Sequence, residues 1–400
     1  MSRHGRVLVA MSGGVDSSVT AALLHEEGYD VVGVTMKTWD HASSGSDGGG
    51  GRQSGCCSVD DIHDARAVAA MLGAPHAVVD IRPEFGQHVI DRFTSDYLAG
   101  RTPNPCVLCN THIKWAALLE RADALGCEWI ATGHYARVRE APGHAGPGHA
   151  GAASRHVVSR GLDRQKDQSY VLWGVAQAHL ARSRFPVGGF AKAEIRRLAA
   201  ELGYARVADK RDSYEICFVP DDDYRRFLRH RVPGLEARVG GGAFLDWATG
   251  EAIGEHRGAP FYTVGQRRGL ELGAVRGRAG EPRYVVDIDA ETNTVTVGPR
   301  EALGGRGLRA DGVVWGAAPG LDGERRVAAQ IRSHGAAAPA LAVQTGPDAF
   351  ELAFEAPVAA IAPGQAVVLY DGDDVLAGGW IAQADREPPH TDAFQPLPLL

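Results

Sequence analysis

Short apolar runs alternate with helical apolar faces over about the first 220 residues of the chain. A short apolar run is typical of a buried strand, whereas apolar residues three and four apart form one face of a helix. Alternating strands and helices predict a parallel sheet with helices on both sides. The predicted elements are strands at Val7–Met11, Asp30–Met36, His76–Ile81 and Glu128–Thr132, and helical faces at Val15–Leu23, Ile62–Leu72, Phe85–Tyr97 and about His112–Leu125.

Helical periodicity is lost from about residue 240 onward, where short strand-like runs are separated by Gly, Pro, Asp and Asn. Many short strands at this spacing predict small β-barrels. We therefore predict an α/β chain, a doubly wound parallel sheet followed by two small β-rich, barrel-like domains, divided as residues 1–225, 226–302 and 303–400. The strand-like runs are Phe244–Trp247, Phe261–Val264, Tyr284–Ile288, Thr294–Val297, Val327–Ile331, Phe350–Phe354, Ala366–Tyr370 and Gly379–Ala382, with a hairpin connection at Asp289–Asn293.

Three segments are too poor in apolar residues to join a core. Ser43–Gly55 and Ala141–Ser154 are rich in Gly, Ala, Ser and His, and the tail from Arg386 contains four prolines. Such segments do not bury enough apolar surface to offset their ordering entropy. We predict surface loops at the first two and a frayed or lightly docked tail at the third.

Composition narrows the class of protein. The chain of 400 residues is 44% hydrophobic and 23% charged, and no run of eighteen apolar residues occurs in it. We expect a soluble, cytoplasmic protein with neither a membrane span nor a secretory signal. The net charge of −7 argues against a general nucleic-acid binder but allows a local basic face. Candidate segments for such a face are the arginines at 225, 226, 229 and 231 and the pair Arg267-Arg268, although each run by itself is more typical of a solvated surface.

The stretch Ser12–Ser18, with sequence SGGVDSS, lies between the first strand and the first helix. Adjacent glycines allow consecutive backbone N–H groups to turn toward an anion, and the following helix N-terminus adds positive potential. The string fits neither the Walker A pattern, which has a lysine, nor the dinucleotide fingerprint. It resembles the pyrophosphate-binding loop of ATP pyrophosphatases, which cleave ATP between its α and β phosphates.

Cys106 and Cys109 form a C-x-x-C pair in Asn104–Asn110. We predict a projecting loop before the helix near His112, which would place Cys109 at the positive helix end, where a thiolate is favoured. Half of a zinc site is the alternative, with Cys56-Cys57 as a poorly suited other half. By themselves, Cys127 and Cys217 are typical of buried structural cysteines.

Taken together, the glycine loop, the Asn-Pro-Cys-x-x-Cys-Asn string and Cys217 resemble the bacterial tRNA-specific 2-thiouridylases. Further matching strings follow in the expected order from residue 10 to residue 380. They are Met36-Lys37, Gly133-His134-Tyr135, Gly161-Leu162-Asp163, Lys166–Tyr170, Phe185–Gly188, Gly265–Leu270 and Pro363-Gly364-Gln365.

The resemblance implies a role for each matching position. Cys109 would be the nucleophile and Cys217 the carrier of persulfide sulfur, while Asp16 would lie beside Mg²⁺. ATP would contact Ala10, Met11, Ser12, Gly13, Gly14, Val15, Asp16, Ser17, Met36 and Gly133, and the tRNA or its target base would contact Asn104, Pro105, Cys106, His134, Lys166, Asp167, Gln168, Arg332, Ser333 and Gln365.

The implied reaction adenylylates the C2 oxygen of the wobble uridine with ATP and Mg²⁺ and then replaces that oxygen with sulfur. The implied partners are a tRNA and a sulfur-donor protein, either a cysteine desulfurase or a sulfur-relay protein. Two positions depart from the pattern, since some relatives carry an acidic residue at the position of Cys106 and an aromatic residue at that of Ser333.

The sequence leaves three alternatives open. Cys106, Cys109 and Cys217 could instead hold a [4Fe–4S] cluster, because C-x-x-C with a distant cysteine suits a cluster as well as persulfide chemistry. The chain could be a ligase that adenylylates a small molecule, or a tRNA-binding protein without catalysis. The ligase class does not require the C-x-x-C string together with β-rich domains.

Overall fold

A computed structural model describes residues 2–39, 58–142, 154–210, 216–219, 221–270 and 282–386. Ser43–Gly55, most of Ala141–Ser154, the tail after Arg386 and the pair Cys56-Cys57 lie outside these residues, so the predictions made for them stay predictions. Within the described ranges, no helix combines the length and apolar character that a membrane crossing needs.

The N-terminal part is built on a parallel sheet with the strand order β3-β2-β1-β4-β7. Val7, Leu8 and Val9 of β1 are completely buried, as expected for a central strand between two helical layers. β1 pairs in parallel with β2 and β4, so Ala10 lies beside Val34 and Thr132, and the carboxyl ends of all three strands meet at one edge. The strands are β1 Arg6–Ala10, β2 Asp30–Lys37, β3 His76–Asp80, β4 Trp129–Thr132, β5 Ala136–Ala141, β6 Arg155–Arg160 and β7 Ser183–Arg184.

The helices pack on both faces of this sheet and continue into the residues that follow it. Two stretches are π-helical, Gly86–Ile90 and Cys109–Lys114, and each joins α-helical segments into a longer helix. The helices are α1 Val15–Glu27, α2 Val59–Met71, α3 Arg82–Phe85, α4 Asp91–Leu98, α5 Pro105–Leu108, α6 Trp115–Ala124, α7 Gln177–Leu180, α8 Lys192–Glu201, α9 Ala205–Ala208, α10 Tyr224–Arg231 and α11 Leu235–Val239.

Two β structures follow, which confirms the predicted fold class. A four-stranded sheet has the order β10-β11-β8-β9. Beyond it, β12, β15, β14, β13, β16 and β17 pair in that order, and pairing of β12 with β17 closes them into a barrel. The strands are β8 Gly242–Asp246, β9 Ala252–His256, β10 Tyr284–Asp289, β11 Thr294–Gly298, β12 Gly304–Trp315, β13 Glu324–Gln330, β14 Ala338–Gly346, β15 Ala349–Ala359, β16 Ala366–Asp371 and β17 Asp374–Asp385.

The hairpin β5–β6 comes from the N-terminal part of the chain but extends the sheet of the C-terminal barrel. Ser159 pairs with Asp374, and the Ser159 hydroxyl donates a hydrogen bond to the Asp374 carboxylate at 2.6 Å. The N-terminal part and the barrel therefore share one sheet.

One predicted strand is wrong. Phe261–Val264 contains no strand, because Ala259–Phe261 forms a 3₁₀ turn with Pro260 near its start. Proline cannot donate to a strand ladder but suits the first turn of a helix. The apolar character of this run reflects burial of Phe261 in a core rather than a strand.

Candidate nucleotide and sulfur-transfer site

The predicted phosphate loop lies where the sequence indicates, between β1 and α1. Gly13 has φ +73°, and a Cβ atom there would lie 2.2 Å from the backbone oxygen of Asp61. Only glycine fits this position, because φ is left-handed and α2 covers the loop. The Ser17 hydroxyl accepts a hydrogen bond from Ser12 N–H and donates one to the Gly14 carbonyl, both at 3.1 Å. The loop is therefore held curled at the N-terminus of α1.

Asp16, in the first turn of α1, is bound by two side chains from distant parts of the chain. Lys192 Nζ lies 2.8 Å from both carboxylate oxygens, and the Tyr135 hydroxyl donates to Oδ1 at 2.7 Å. Gly133 packs against this turn, since a Cβ there would lie 2.9 Å from Ser17 N. Asp16 and Gly133, predicted separately, therefore lie together.

A second lysine binds the opposite side of the loop. Lys210 Nζ donates to the Gly13 carbonyl at 2.9 Å and forms ion pairs with Asp61 at 2.7 Å and Asp64 at 2.5 Å. Burial alone would lower the pKa of Lys210, but its hydrogen bonds to the two carboxylates outweigh burial and raise it. Lys210 therefore stays charged and ties the phosphate loop to α2.

The C-x-x-C pair lies in a helix and not in a projecting loop, so that prediction is wrong. The helix starts at Pro105, with Asn104 as N-cap accepting a hydrogen bond from Val107 N–H at 3.3 Å. Proline suits the first helical position and asparagine the N-cap. Cys106, which is exposed, therefore lies in the first turn, whereas Cys109 begins the π-helical stretch a turn later. The helix-dipole argument made for Cys109 applies to Cys106 instead.

Cys109 and Cys217 both pack against one buried apolar cluster, which we call the cysteine core. Met36, near the carboxyl end of β2, packs against the same cluster, and both cysteines are partly buried there. The structure therefore brings the two predicted sulfur residues and one predicted ATP contact to a common core. Central members of the cysteine core are Phe85, Phe93, Leu108, Ile113, Phe218 and Phe227.

The chain is similar to known proteins along most of its length. Residues 5–221 match the family described as "tRNA methyl transferase HUP domain", residues 226–299 match its PRC-barrel domain, and residues 305–381 match an "Aminomethyltransferase beta-barrel domain". The chain is 58% identical over 381 residues to "tRNA-specific 2-thiouridylase MnmA" of Salinibacter ruber, covering 95% of each chain. It is 52% identical to the protein of the same name from Amoebophilus asiaticus, over 96% of this chain and 97% of that one.

The chain belongs to the tRNA-specific 2-thiouridylase family. Members of this family are tRNA sulfurtransferases, and membership implies ATP as the nucleotide and tRNA as the substrate. A solved 4-thiouridine synthetase–RNA complex with bound ATP is 16% identical, with a TM-score of 0.34 over 58% of this chain and 52% of that chain, which adds nothing to the assignment.

Several side chains that are predicted to contact tRNA form hydrogen bonds to other groups of the protein. His134 is 8% exposed, lies 2.7 Å through Nδ1 from the Thr132 hydroxyl, and has a pKa that burial lowers well below its usual value. The Asp167 carboxylate accepts from Gly161 N–H at 2.9 Å and from the Ser169 hydroxyl at 2.8 Å. Gln168 Oε1 accepts from Tyr135 N–H at 2.9 Å. Each of these three side chains is therefore held in place by hydrogen bonds within the protein.

The C-terminal barrel contributes three of the predicted tRNA residues, Arg332, Ser333 and Gln365. Arg332 is exposed and donates to the carbonyls of Ala359 and Ala360, at 2.6 and 3.0 Å. Gln365 is partly buried and reaches the segment before Asn104. Gln365 therefore places the barrel beside the helix that carries Cys106 and Cys109, whereas the contacts of Arg332 lie within the barrel.

The described residues do not present a metal-ligand set. No group of three or more His, Cys, Asp or Glu side chains within the described ranges is arranged to hold a metal ion. Cys106, Cys109 and Cys217 thus do not fit a [4Fe–4S] cluster in this conformation. Lys192 Nζ already binds both oxygens of Asp16, so a role for this carboxylate beside magnesium stays a prediction.

Sequence reasoning missed Lys192, Lys210, Asp61 and Asp64. Lys192 has a signal in hindsight, because it is the first residue of α8, where the helix dipole disfavours a cation. A lysine at that position is expected to have an anionic partner nearby. Lys210 and the two aspartates have no such signal, since their meeting depends on how α2 and α9 pack on the loop.

Proposed function

We propose that this chain adenylylates the C2 oxygen of the wobble uridine, position 34, in tRNA and replaces it with sulfur from a cysteine persulfide. The products are 2-thiouridine, AMP and pyrophosphate. The observation that carries the proposal is the common packing of Cys109, Cys217 and Met36 against the cysteine core, beside the strands that carry the phosphate loop. Family membership supports the same reaction.

Adenylylation solves the problem that the C2 carbonyl of uridine has no leaving group. The oxygen attacks the α-phosphorus of ATP, an O–P bond forms, and pyrophosphate leaves. Backbone N–H groups of the loop from Gly13 to Ser17 would donate to the charged phosphates, and the Lys192 ammonium lies beside them, paired with Asp16. Mg²⁺ bound near Asp16 would supply further positive charge to the phosphate oxygens.

Sulfur transfer then uses the two cysteines in different roles. The Cys109 thiolate attacks Cys217 Sγ of the persulfide, which breaks the S–S bond, forms a Cys109–Cys217 disulfide and releases hydrosulfide. Hydrosulfide adds to C2, AMP leaves, and a proton is lost to give the C2=S group. A thiol reductant resets the disulfide, and a cysteine desulfurase or sulfur-relay protein reloads Cys217. We place this reaction in the cytoplasm.

Mass spectrometry of tRNA nucleosides tests the proposal directly. Persulfide-loaded enzyme, ATP, Mg²⁺ and unmodified tRNA should give about one 2-thiouridine per enzyme in a single turnover. Cys217→Ser should neither carry the persulfide nor thiolate, whereas Cys109→Ser should carry it without transferring it. Thiolation by Cys109→Ser would overturn the assignment of the nucleophile.

The C-x-x-C pair offers a separate test between persulfide and cluster chemistry. Cys106→Asp keeps a side chain of similar size and removes one of three possible cluster ligands. The persulfide reaction should survive this change, and anaerobically purified wild type should hold no stoichiometric iron or acid-labile sulfide. Loss of both iron and activity in Cys106→Asp would establish the cluster reaction instead.

Pyrophosphate release without RNA would favour a small-molecule ligase.

A further inference from the structure

The segment that leads into the Cys106 helix is docked on the C-terminal barrel. Thr102 N–H donates to the Pro363 carbonyl at 2.8 Å. Gln365 Nε2 donates to the carbonyls of Thr102 and Pro103, at 3.1 and 3.0 Å. One amide side chain of the barrel therefore holds two consecutive carbonyls just before Asn104.

The contact is also close in its backbone. Gly364 has φ +89°, and a Cβ atom there would lie 2.8 Å from Arg101 Cβ and 3.0 Å from both Thr102 N and Thr102 O. Contacts of that length with backbone cannot be relieved by a side-chain rotation. The turn and the segment thus fit together only while residue 364 is glycine.

A buried tyrosine makes a third connection. The Tyr170 hydroxyl donates to the Ala366 carbonyl at 2.7 Å, and burial raises the pKa of Tyr170, an effect that the nearby Asn104 side chain opposes. Tyr170 is 1% exposed, so it cannot touch a macromolecular substrate in this conformation. Its hydroxyl therefore binds the barrel turn and lies near Asn104, the N-cap of the cysteine helix.

From these three contacts we propose that the barrel turn Ala362–Ala366, here called the loop seat, sets the position of Asn104, Pro105 and Cys106, with Gln365 as a positioning residue. The inference rests on the proposed function in one respect, since it assumes that this segment borders the target base. Because the amide nitrogen of Gln365 is already engaged by two carbonyls, its first effect is on the protein. The barrel then contributes to the rate of the reaction besides binding tRNA.

Three variants of the full chain test the loop seat. Gln365→Ala removes two hydrogen bonds, Tyr170→Phe removes the buried hydroxyl, and Gly364→Ala puts a methyl group against Thr102. Each should speed amide hydrogen exchange of residues 101–108 in the tRNA-free protein on the order of tenfold. Each should also slow single-turnover thiolation at saturating tRNA and ATP by a similar factor, while the tRNA Kd changes less than about twofold.

The barrel offers matched controls. Gly372 also has a left-handed φ, +58°, but its Cβ would meet nothing within 4 Å, so Gly372→Ala carries the same kind of backbone strain without the contact. Gln383 is exposed on β17, and Gln383→Ala removes the same side chain elsewhere. Both controls should match wild type in exchange and rate, and thermal unfolding checks that all five variants are folded.

The outcomes separate the alternatives. Unchanged exchange together with a raised tRNA Kd in Gln365→Ala would show that Gln365 acts through the tRNA, and would overturn the loop seat. Unchanged exchange and rate in Tyr170→Phe and Gly364→Ala would overturn it as well. Wild type that makes no 2-thiouridine would reject the proposed function, while the exchange measurement would still decide whether the seat exists.

Discussion

At the scale of single residues, one lysine beside the phosphate loop bears on how the loop binds a nucleotide. Lys192 is nearly buried, and its ammonium is neutralised by both oxygens of Asp16. Forming an ion pair between poorly exposed side chains costs desolvation free energy, and removing only one partner leaves the other charge buried and unpaired. We therefore expect Lys192 to bind nucleotide charge, because apolar residues in its place would stabilise the fold at least as well.

Replacement of Lys192 tests this role. Lys192→Met should lower the rate of tRNA-dependent pyrophosphate release by about 100-fold, the usual cost of losing one positioned donor to developing charge. Arg197→Met is the control, because Arg197 lies on the same helix but pairs with Glu201 at the exposed surface. Equal pyrophosphate release by Lys192→Met and wild type would remove Lys192 from the nucleotide site.

Histidine burial gives the protein a pH dependence. His256 is 5% exposed, burial lowers its pKa, and its Nδ1 accepts a hydrogen bond from Gly258 N–H at 3.0 Å. Because the native state binds the proton more weakly than the unfolded chain, this contribution to stability is complete above about pH 6.5 and is lost as pH falls below it.

Urea unfolding at pH 7.5 and pH 5.5 measures that loss. Wild type should be less stable at pH 5.5, and His256→Asn, whose side-chain oxygen can accept the same bond, should lose less over this interval. His25→Asn is the control at an exposed histidine. Identical losses for wild type and His256→Asn would assign the pH dependence to other groups.

At the scale of elements, the sequence predicts what is local. The run Val7–Met11 and the following glycines identify β1, the loop and α1 because strand, turn and helix signals are adjacent. The two π-helical stretches were not predicted, since one inserted residue shifts the apolar face without changing composition. That shift starts at Cys109. The cysteine can therefore be identified from the sequence as a site residue, but the helix that carries it cannot.

The sequence also does not predict which distant elements pair with each other. Strand β6 has charged ends and a short apolar centre, and its partner β17 follows more than 200 residues later. Nothing local to Arg155–Arg160 indicates that neighbour. Nothing local to Gln365 indicates its neighbours either. The predicted contact of Gln365 is tRNA, and in the structure its side chain binds the carbonyls of Thr102 and Pro103.

The loop Lys166–Gln168 gives a prediction at this scale. The Asp167 side chain is 5% exposed and binds Gly161 N–H, Ser169 and Arg160, the last at 3.1 Å. Asp167→Ala leaves these donors without their acceptor and should lower the free energy of unfolding by roughly 2–4 kcal/mol. Asp348→Ala, at an exposed position, should leave urea unfolding unchanged. Weaker tRNA binding with unchanged stability would instead indicate direct contact between Asp167 and tRNA.

At the scale of the whole molecule, each β structure is joined to the rest by side chains that donate to backbone carbonyls. Arg155 of β6 donates to the carbonyls of Trp315 and Gly316, at 2.5 and 2.7 Å. Arg386 donates to the carbonyls of Val286, in the four-stranded sheet, and Ile361, next to the loop seat. A guanidinium suits such junctions because its donors diverge and it stays charged.

Arg386 offers the sharpest test of the junction between the two β structures. Arg386→Met keeps most of the apolar stem but removes the donors, so two buried carbonyls lose their partners, and the free energy of unfolding should fall by roughly 2–4 kcal/mol. Arg309→Met removes a guanidinium that pairs with Asp311 at the exposed surface of β12, and should change stability by less than about 1 kcal/mol. If Arg386 joins the two structures, Arg386→Met should also speed amide exchange at both β10 and residues 359–365, because opening the junction exposes both sides at once. Faster exchange at one side alone would mean that Arg386 stabilises only that structure, and that the contact between the domains depends on other residues.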